Sequence, residues 1–296
     1  IRPDIVHLHS SKAGLLGRIA GKLALIKNII YQPHGPVFYG YFGKIKNKLI
    51  IMIERLTAHL CDRIVFLTPS SQKDYQDKNI GRRKQYRVIQ NGVDVDIFHP
   101  PTEEEKEENK FDYDFRKEDV VLGMVGRIVD IKGHKYFVEA FEDIAKKFDN
   151  VKGLIVGEGE YSDKIKKMVK EKNLQDRIIF TGFVENVPKI MRTIDVLVQP
   201  SVVEGFGIAI VEAGACCVPA VGFRIGGIQD IIIENETGIL VELKNSKELA
   251  KCLEFLALNP SKIKDLGEKA RKHIIDNYTL DKMMYRLVSM YNELQK

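Results

Sequence analysis

Short apolar runs of strand length alternate along this chain with longer segments whose apolar residues recur at helical spacing. In the first third, the runs 5–9, 28–32, 63–67 and 86–90 read as strands and the segments 12–26, 44–60 and 69–77 as helices. A second series opens at residue 119, with strands expected near 120–125, 153–156, 177–181, 195–199, 218–221 and 238–241. Helices fall between them; in 135–148, Phe137, Ala140, Phe141 and Ile144 form one apolar stripe. The segments 246–258, 262–276 and 280–294 read as three closing helices. Strand-then-helix order throughout predicts an α/β protein of doubly wound parallel sheets, one architecture used twice.

Asn91-Gly92 supplies a turn and the Val-Asp-Val-Asp-Ile-Phe-His-Pro-Pro that follows is linker-like, so a boundary is expected near residue 96. This gives a first domain over 1–96, a second over 97–278, and a last helix, 279–296. The stretch 102–119 is rich in Glu, Lys and Asp and reads as a solvated surface segment. Gly14, Gly17 and Gly21 on the first helix are expected to permit close helix packing. The chain opens on Ile1-Arg2-Pro3-Asp4, the run-up to a strand, which reads as a first domain lacking its natural start.

The 296 residues are 44% hydrophobic and 29% charged, an ordinary globular composition, with neither a membrane-spanning apolar run nor a signal peptide. Cys61, Cys216, Cys217 and Cys252 lack C-x-x-C spacing and read as free thiols of a reducing cytosol. Charge is uneven: residues 1–95 carry 16 Lys and Arg against 6 Asp and Glu, a net of +10, which leaves −5 for the rest of a chain whose total is +5. A basic first domain suggests a phosphate-bearing partner or an anionic membrane surface on that side.

The stretch 200–213, Pro-Ser-Val-Val-Glu-Gly-Phe-Gly-Ile-Ala-Ile-Val-Glu-Ala, is where the chemistry concentrates. Glu204 is expected on a strand-to-helix turn, with Gly205 and Gly207 letting backbone approach a ligand and free helix-start N–H groups favouring an anion. Glu212, eight residues on, lies up to ~12 Å away along a helix, too far for the ~5 Å carboxylate pair of a retaining glycosidase. The two carboxylates should hold different ends of one long ligand, with hydroxyls at both ends and negative charge between: a nucleotide-sugar.

Glu204-x7-Glu212 inside E-G-F-G-I-A-I-V-E resembles the motif of the family-4 retaining glycosyltransferases, a two-Rossmann-domain (GT-B) family in which the domains face each other across a cleft. The resemblance spans residues 3–285, and the phrase around Asn91-Gly92 is similar to the family's interdomain junction. It implies that Glu204 faces the donor hexose, that Glu212 binds the nucleotide ribose, and that the amides of Phe206, Gly207 and Ile208 face sugar and phosphate. It also implies that the final helix crosses back onto the first domain. Gly126-Arg127 at one strand end and Lys132-Gly133 at the next helix mouth match the family's G-R-x4-K-G phrase, where the two cations neutralise the leaving diphosphate; in isolation they would read as surface charges. His34, in Gln-Pro-His-Gly past the second strand, stands where family members carry a functional His and is expected to touch the donor sugar. Thr181-Gly182-Phe183-Val184 borders the nucleobase in the family, which brings in Val184, and Gly226-Gly227 matches a glycine pair lining the donor cleft.

Other motifs carry less. Gly157-Glu158-Gly159 lacks the third glycine of a dinucleotide fingerprint, Ser162 standing there. His7 and His9 share one face of a strand and read as structural, His9 being the nearer to the ligand side. Asp94-Val95-Asp96 and Asp112-Tyr113-Asp114 lie away from the strand ends, so no metal is assigned; Arg127 and Lys132 supply the counter-charge.

The sum is a cytoplasmic retaining hexosyltransferase without cofactor or metal, using a nucleotide diphosphate sugar, UDP-linked by resemblance, and a sugar, polysaccharide or lipid-linked acceptor, with no nucleic-acid partner. A nucleotide-sugar epimerase and a non-catalytic nucleotide-sugar-binding subunit are the rival readings. Phe38, Tyr39, Tyr41 and Phe42 crowd one loop, followed by Lys44, Lys46, Lys48 and the apolar run 49–53. That order suits a segment in a lipid headgroup layer at the inner membrane face; the plainer alternative is rings packed between domains beside solvated lysines.

Overall fold

The computed structural model describes residues 3–35 and 43–295. Phe38, Tyr39, Tyr41 and Phe42, the aromatic loop singled out above, lie outside them. The chain forms two compact units: one takes residues up to Gly92, Val203–Phe206 and the chain from Leu280 on, the other Val93–Val202 and Gly207–Thr279.

The first unit runs β1 (Ile5–His9), α1 (Ser11–Leu23), β2 (Asn28–Gln32), α2 (Lys44–Thr57), β3 (Arg63–Phe66), α3 (Pro69–Asp77) and β4 (Tyr86–Val88). Its four strands are parallel, in the order β1-β2-β3-β4. Successive residues of β2 serve opposite faces, as the pleat requires: Ile29 and Tyr31 join Ile64, Phe66, Tyr75 and Tyr86 in one apolar layer, while Ile30 joins Val65, Ile89 and Met290 in the other. The glycines of α1 permit the close approach expected of them, since a Cβ at Gly14 would stand 2.3 Å from Tyr31 and one at Gly17 2.4 Å from Leu8. Under the two helices, Arg18 donates to both carboxylate oxygens of Glu54 (3.2 and 3.1 Å) with its guanidinium 4.0 Å from the centre of the Tyr31 ring. This buried pair fixes α1 to α2.

The second unit runs α4 (Glu103–Phe111), β5 (Val120–Val125), α5 (His134–Ala145), β6 (Val151–Val156), α6 (Ser162–Glu171), β7 (Ile178–Gly182), α7 (Val187–Thr193), β8 (Val196–Gln199), α8 (Ile208–Ala215), β9 (Ala220–Phe223), α9 (Gly226–Ile231), β10 (Gly238–Val241), α10 (Ser246–Leu258) and α11 (Pro260–Asn277). All six strands are parallel, in the order β10-β9-β8-β5-β6-β7. Strand order reverses between β5 and β8, and open α/β sheets bind ligands beyond the carboxyl ends of the strands at such a switch. The closing helix α12 (Leu280–Gln295) is counted with the first unit. Its Met290 enters the second apolar layer there, and Arg286 donates to Gln90 at 2.7 Å.

The stretch 102–119 is largely exposed, as its composition suggests, but it contains an ordered helix with one engaged face. Thr102 caps α4 in a reciprocal box, accepting from the Glu105 amide at 3.1 Å while the Glu105 carboxylate accepts from the Thr102 amide at 2.9 Å. Lys106 and Lys110 of α4 reach Asp195 at 2.7 and 3.0 Å, and Phe115 and Asp119 are buried. Burial alone would push the Asp195 carboxyl up, but the two ammonium groups hold it below the usual carboxylate range. Lys110 is itself buried and both ammonium heads reach Asp195, so the charge-rich composition hides a helix with a packed face. Both D-x-D phrases are engaged locally: Asp94 accepts from the amides of Asp96 (3.0 Å) and Ile97 (3.3 Å), and Asp112 pairs with Lys189.

Candidate active site

Within the second unit, the loops after β5 and β8 are stitched together at the switch point. The Val202 amide donates to the Ile131 carbonyl at 2.8 Å. Gly133 ends a short 3-10 turn, Asp130–Lys132, with φ of 75°, and a Cβ there would stand 1.8 Å from the Pro200 carbonyl oxygen, so only glycine fits. This crossing fixes Lys132, half-buried, at the mouth of α5, while Arg127 stands exposed past the end of β5 beside Gly126, where an added Cβ would meet nothing within 4 Å. His134, the first residue of α5, is buried with neither ring nitrogen hydrogen-bonded. Burial, then the neighbouring Lys132, lower its pKa to about 4, so it is neutral and leaves the cationic character of this mouth to the lysine.

Beyond the ends of β6 and β7 lies an open cleft of about 420 Å³ lined by Ile128, Glu158, Ser162, Phe180 and Gly182 among others. Its walls are tied by backbone bonds from Gly157 to Gly182 (2.8 Å) and from Ile128 to Glu158 (2.9 Å). Ser162, which displaces the third glycine of a fingerprint, accepts from the Gly159 amide at 3.0 Å and starts α6. The Gly157-Glu158-Gly159 loop, set aside in the sequence for its missing glycine, therefore shapes the cleft. Its signal was position at a strand end rather than motif. Val184, half-buried, follows β7 by two residues.

Gly207 caps α8 with φ of 97°, and Ile208, 40% exposed, opens the helix. Glu212 sits one turn on, and burial raises its pKa to about 7. If this carboxylate accepts from ribose hydroxyls, binding favours the ionised form. Nucleoside diphosphate affinity should then rise with pH through about 7 and fall below it, by up to ~10-fold per unit, with proton release on binding. Calorimetry on wild type and Glu212→Gln checks this; an equal pH dependence in both would assign the effect to the ligand's own phosphates.

His34, Glu204 and Phe206 belong to the first unit, the other assigned residues to the second. At Gly205 a Cβ would meet the His34 carbonyl oxygen at 2.6 Å, so the chain itself demands glycine there. Glu204, half-buried, and Phe206, buried, flank this contact in sequence. His34 has φ of 57°, a conformation non-glycine residues seldom hold. Its Nε2 hydrogen-bonds His9 Nδ1 at 2.8 Å, His9 stacks on His7 with ring centres 4.4 Å apart, and His7 Nδ1 bonds the Tyr291 hydroxyl at 2.8 Å. Burial, then His9, lower the pKa of both His34 and His7, the latter to about 4. The His9–His34 pairing escaped sequence reasoning because it spans 25 residues; the β1–β2 register, which sets His9 against Gln32, creates it. Among the described residues no group of three or more His, Cys, Asp or Glu is placed to hold a metal ion.

Two parallel-sheet α/β units, with cations and a carboxylate at the carboxyl ends of the second sheet, define the GT-B class of nucleotide-sugar enzymes. Residues 105–273 match the family model "Glycosyl transferases group 1" and residues 1–97 match "Glycosyltransferase Family 4". The chain belongs to the glycosyl transferases group 1 family. It is 29% identical over 303 aligned residues to the UDP-Gal:alpha-D-GlcNAc-diphosphoundecaprenol alpha-1,3-galactosyltransferase of Escherichia coli, covering 98% of this chain and 76% of that protein. With the capsular polysaccharide biosynthesis glycosyltransferase CapM of Staphylococcus aureus it shares 27% identity, covering 100% and 78%. The crystal structure of Anabaena Alr3699/HepE in complex with UDP and glucose superposes with a TM-score of 0.88 at 20% identity, covering 98% of this chain and 78% of that one, and shares the fold.

Proposed function

We propose that this glycosyltransferase moves a hexosyl group from a UDP-linked donor to a lipid-linked sugar or growing polysaccharide with retention of anomeric configuration. The observation that carries the reading is the switch-point arrangement of the second unit, where Arg127 and Lys132 stand at the end of β5 and the mouth of α5, with Glu212 on α8. The cleft beside Gly182 and Val184 is assigned to the nucleobase, Glu212 to the ribose, and Arg127, Lys132 and the amides of Gly207 and Ile208 to the diphosphate. Glu204, Phe206 and His34 are assigned to the donor hexose.

In the reaction the acceptor oxygen forms a bond to the anomeric carbon as the bond from that carbon to the diphosphate oxygen breaks. The acceptor's hydroxyl proton passes to the departing phosphate on the same face. No enzyme nucleophile enters. Arg127 and Lys132 oppose the negative charge that develops on the leaving group, an effect worth several kcal/mol when donors are fixed in advance. No metal is assigned to the step. Lipid-linked and polymer acceptors are favoured by the names of the two bacterial relatives, one acting on a diphosphoundecaprenol-linked sugar and one in capsule synthesis. The reading is tested by following free UDP: its release should require both a sugar donor and an acceptor, whereas an epimerase or a binding subunit releases none.

A further inference from the structure

We infer that the outward face of α1 and α2 is a docking surface for a lipid bilayer with anionic headgroups. On α2, Ile45, Leu49, Met52 and Leu56 are 86%, 52%, 50% and 65% exposed. Their 4-3-4 spacing confines them to an arc of roughly 60° at 3.6 residues per turn. Lys44, Lys48 and Arg55 border this stripe on one side and Lys46 on the other, all exposed. The one acidic residue of α2, Glu54, is turned inward onto Arg18. The apolar run 49–53 is thus divided: Leu49 and Met52 face out, while Ile50, Ile51 and Ile53 are half-buried and Ile51 packs on the core.

The neighbouring helix repeats the pattern. Gly14, Gly17 and Gly21 of α1 turn toward the sheet, and on the opposite side Leu16, Ile19 and Leu23 are 64%, 42% and 81% exposed. Lys12 and Lys22 are exposed beside them, and α1 contains no acidic residue. Both helices follow strands of one parallel sheet by consecutive right-handed crossovers, so they lie on the same side of it. Arg18–Glu54 holds them side by side.

Two outward apolar stripes whose exposed charged neighbours on these helices are all cations are what an interfacial helix pair needs, with side chains entering the acyl boundary and lysines reaching up to lipid phosphates. A second copy of this chain fits poorly. A two-fold contact would set these lysines against themselves with no carboxylate to meet them. The inference goes beyond the transferase reading and stands without it.

The chain contains no tryptophan, so Leu49→Trp places a single reporter on the stripe. On vesicles of phosphatidylcholine containing phosphatidylglycerol, the indole emission should shift to the blue and be quenched by lipids brominated in their acyl chains. Changing Lys44, Lys46 and Lys48 to Glu in that background should weaken partitioning at least ~100-fold, and high salt should weaken it in the same direction. Met52→Asp should abolish the blue shift while circular dichroism stays unchanged. Unshifted emission with anionic vesicles overturns the inference, as does equal, salt-indifferent partitioning into pure phosphatidylcholine. So does a dimer in sedimentation velocity that Leu49→Asp dissolves while vesicles leave the emission unmoved, which would give the face to a second copy.

Discussion

Replacing Arg127 or Lys132 with alanine is expected to reduce turnover at least ~100-fold while leaving the fold intact, the size of loss typical when one preorganised donor to a developing oxyanion is removed. Arg127 is exposed past the end of β5, so its removal opens no cavity. The backbone at Lys132 is held through Gly133 against Pro200. The negative charge these cations oppose grows as the anomeric bond breaks, so the loss should fall mainly on kcat and less on donor KM. Lys132→Arg should recover little, because a planar guanidinium does not present charge as a compact ammonium does. Steady-state kinetics decides the matter. Wild-type rates in both alanine variants would remove the diphosphate clamp from the mechanism.

The second large effect separates the two motif glutamates. A hydrogen bond to a charged group is worth about 1.5–3 kcal/mol, so Glu212→Ala should weaken UDP binding ~10- to 100-fold. Glu204→Ala should leave UDP binding unchanged and depress kcat/KM only with the complete sugar donor, because the hexose is the part it is assigned to. Isothermal calorimetry with UDP on both variants, followed by donor kinetics, distinguishes the roles. Equal losses of UDP affinity would contradict a ligand stretched between the ribose and hexose ends.

Most of the fold was legible because most strands are short, mainly apolar runs and long helices carry a stripe, as in α5 with Phe137, Ala140, Phe141 and Ile144. α4 was not, since its buried side chains include a lysine, Lys110, whose worth depends on Asp195, a residue 85 positions away. A local signal was nonetheless present in Thr102-x-x-Glu105, a capping box. Periodicity named α2 as a helix, but five consecutive apolar residues, 49–53, could not say which of them would face the sheet. For the candidate site, strand ends and motifs point to Arg127, Lys132 and Glu212, whereas the reason for Gly205 lies in the carbonyl of His34, which no spacing discloses. The histidine chain from Tyr291 to His34 is likewise a product of strand register and of α12 returning to the first sheet.

Transfer with retention is tested most directly by the anomeric configuration of the product. The enzyme is incubated with a panel of UDP-α-hexoses and a lipid-linked sugar acceptor, UDP release is followed, and any new glycosidic linkage is read by proton NMR. Acceptor-dependent UDP release and an α-linked product are expected. A β-linked product, or turnover of the donor without transfer to any acceptor, would contradict retaining transfer.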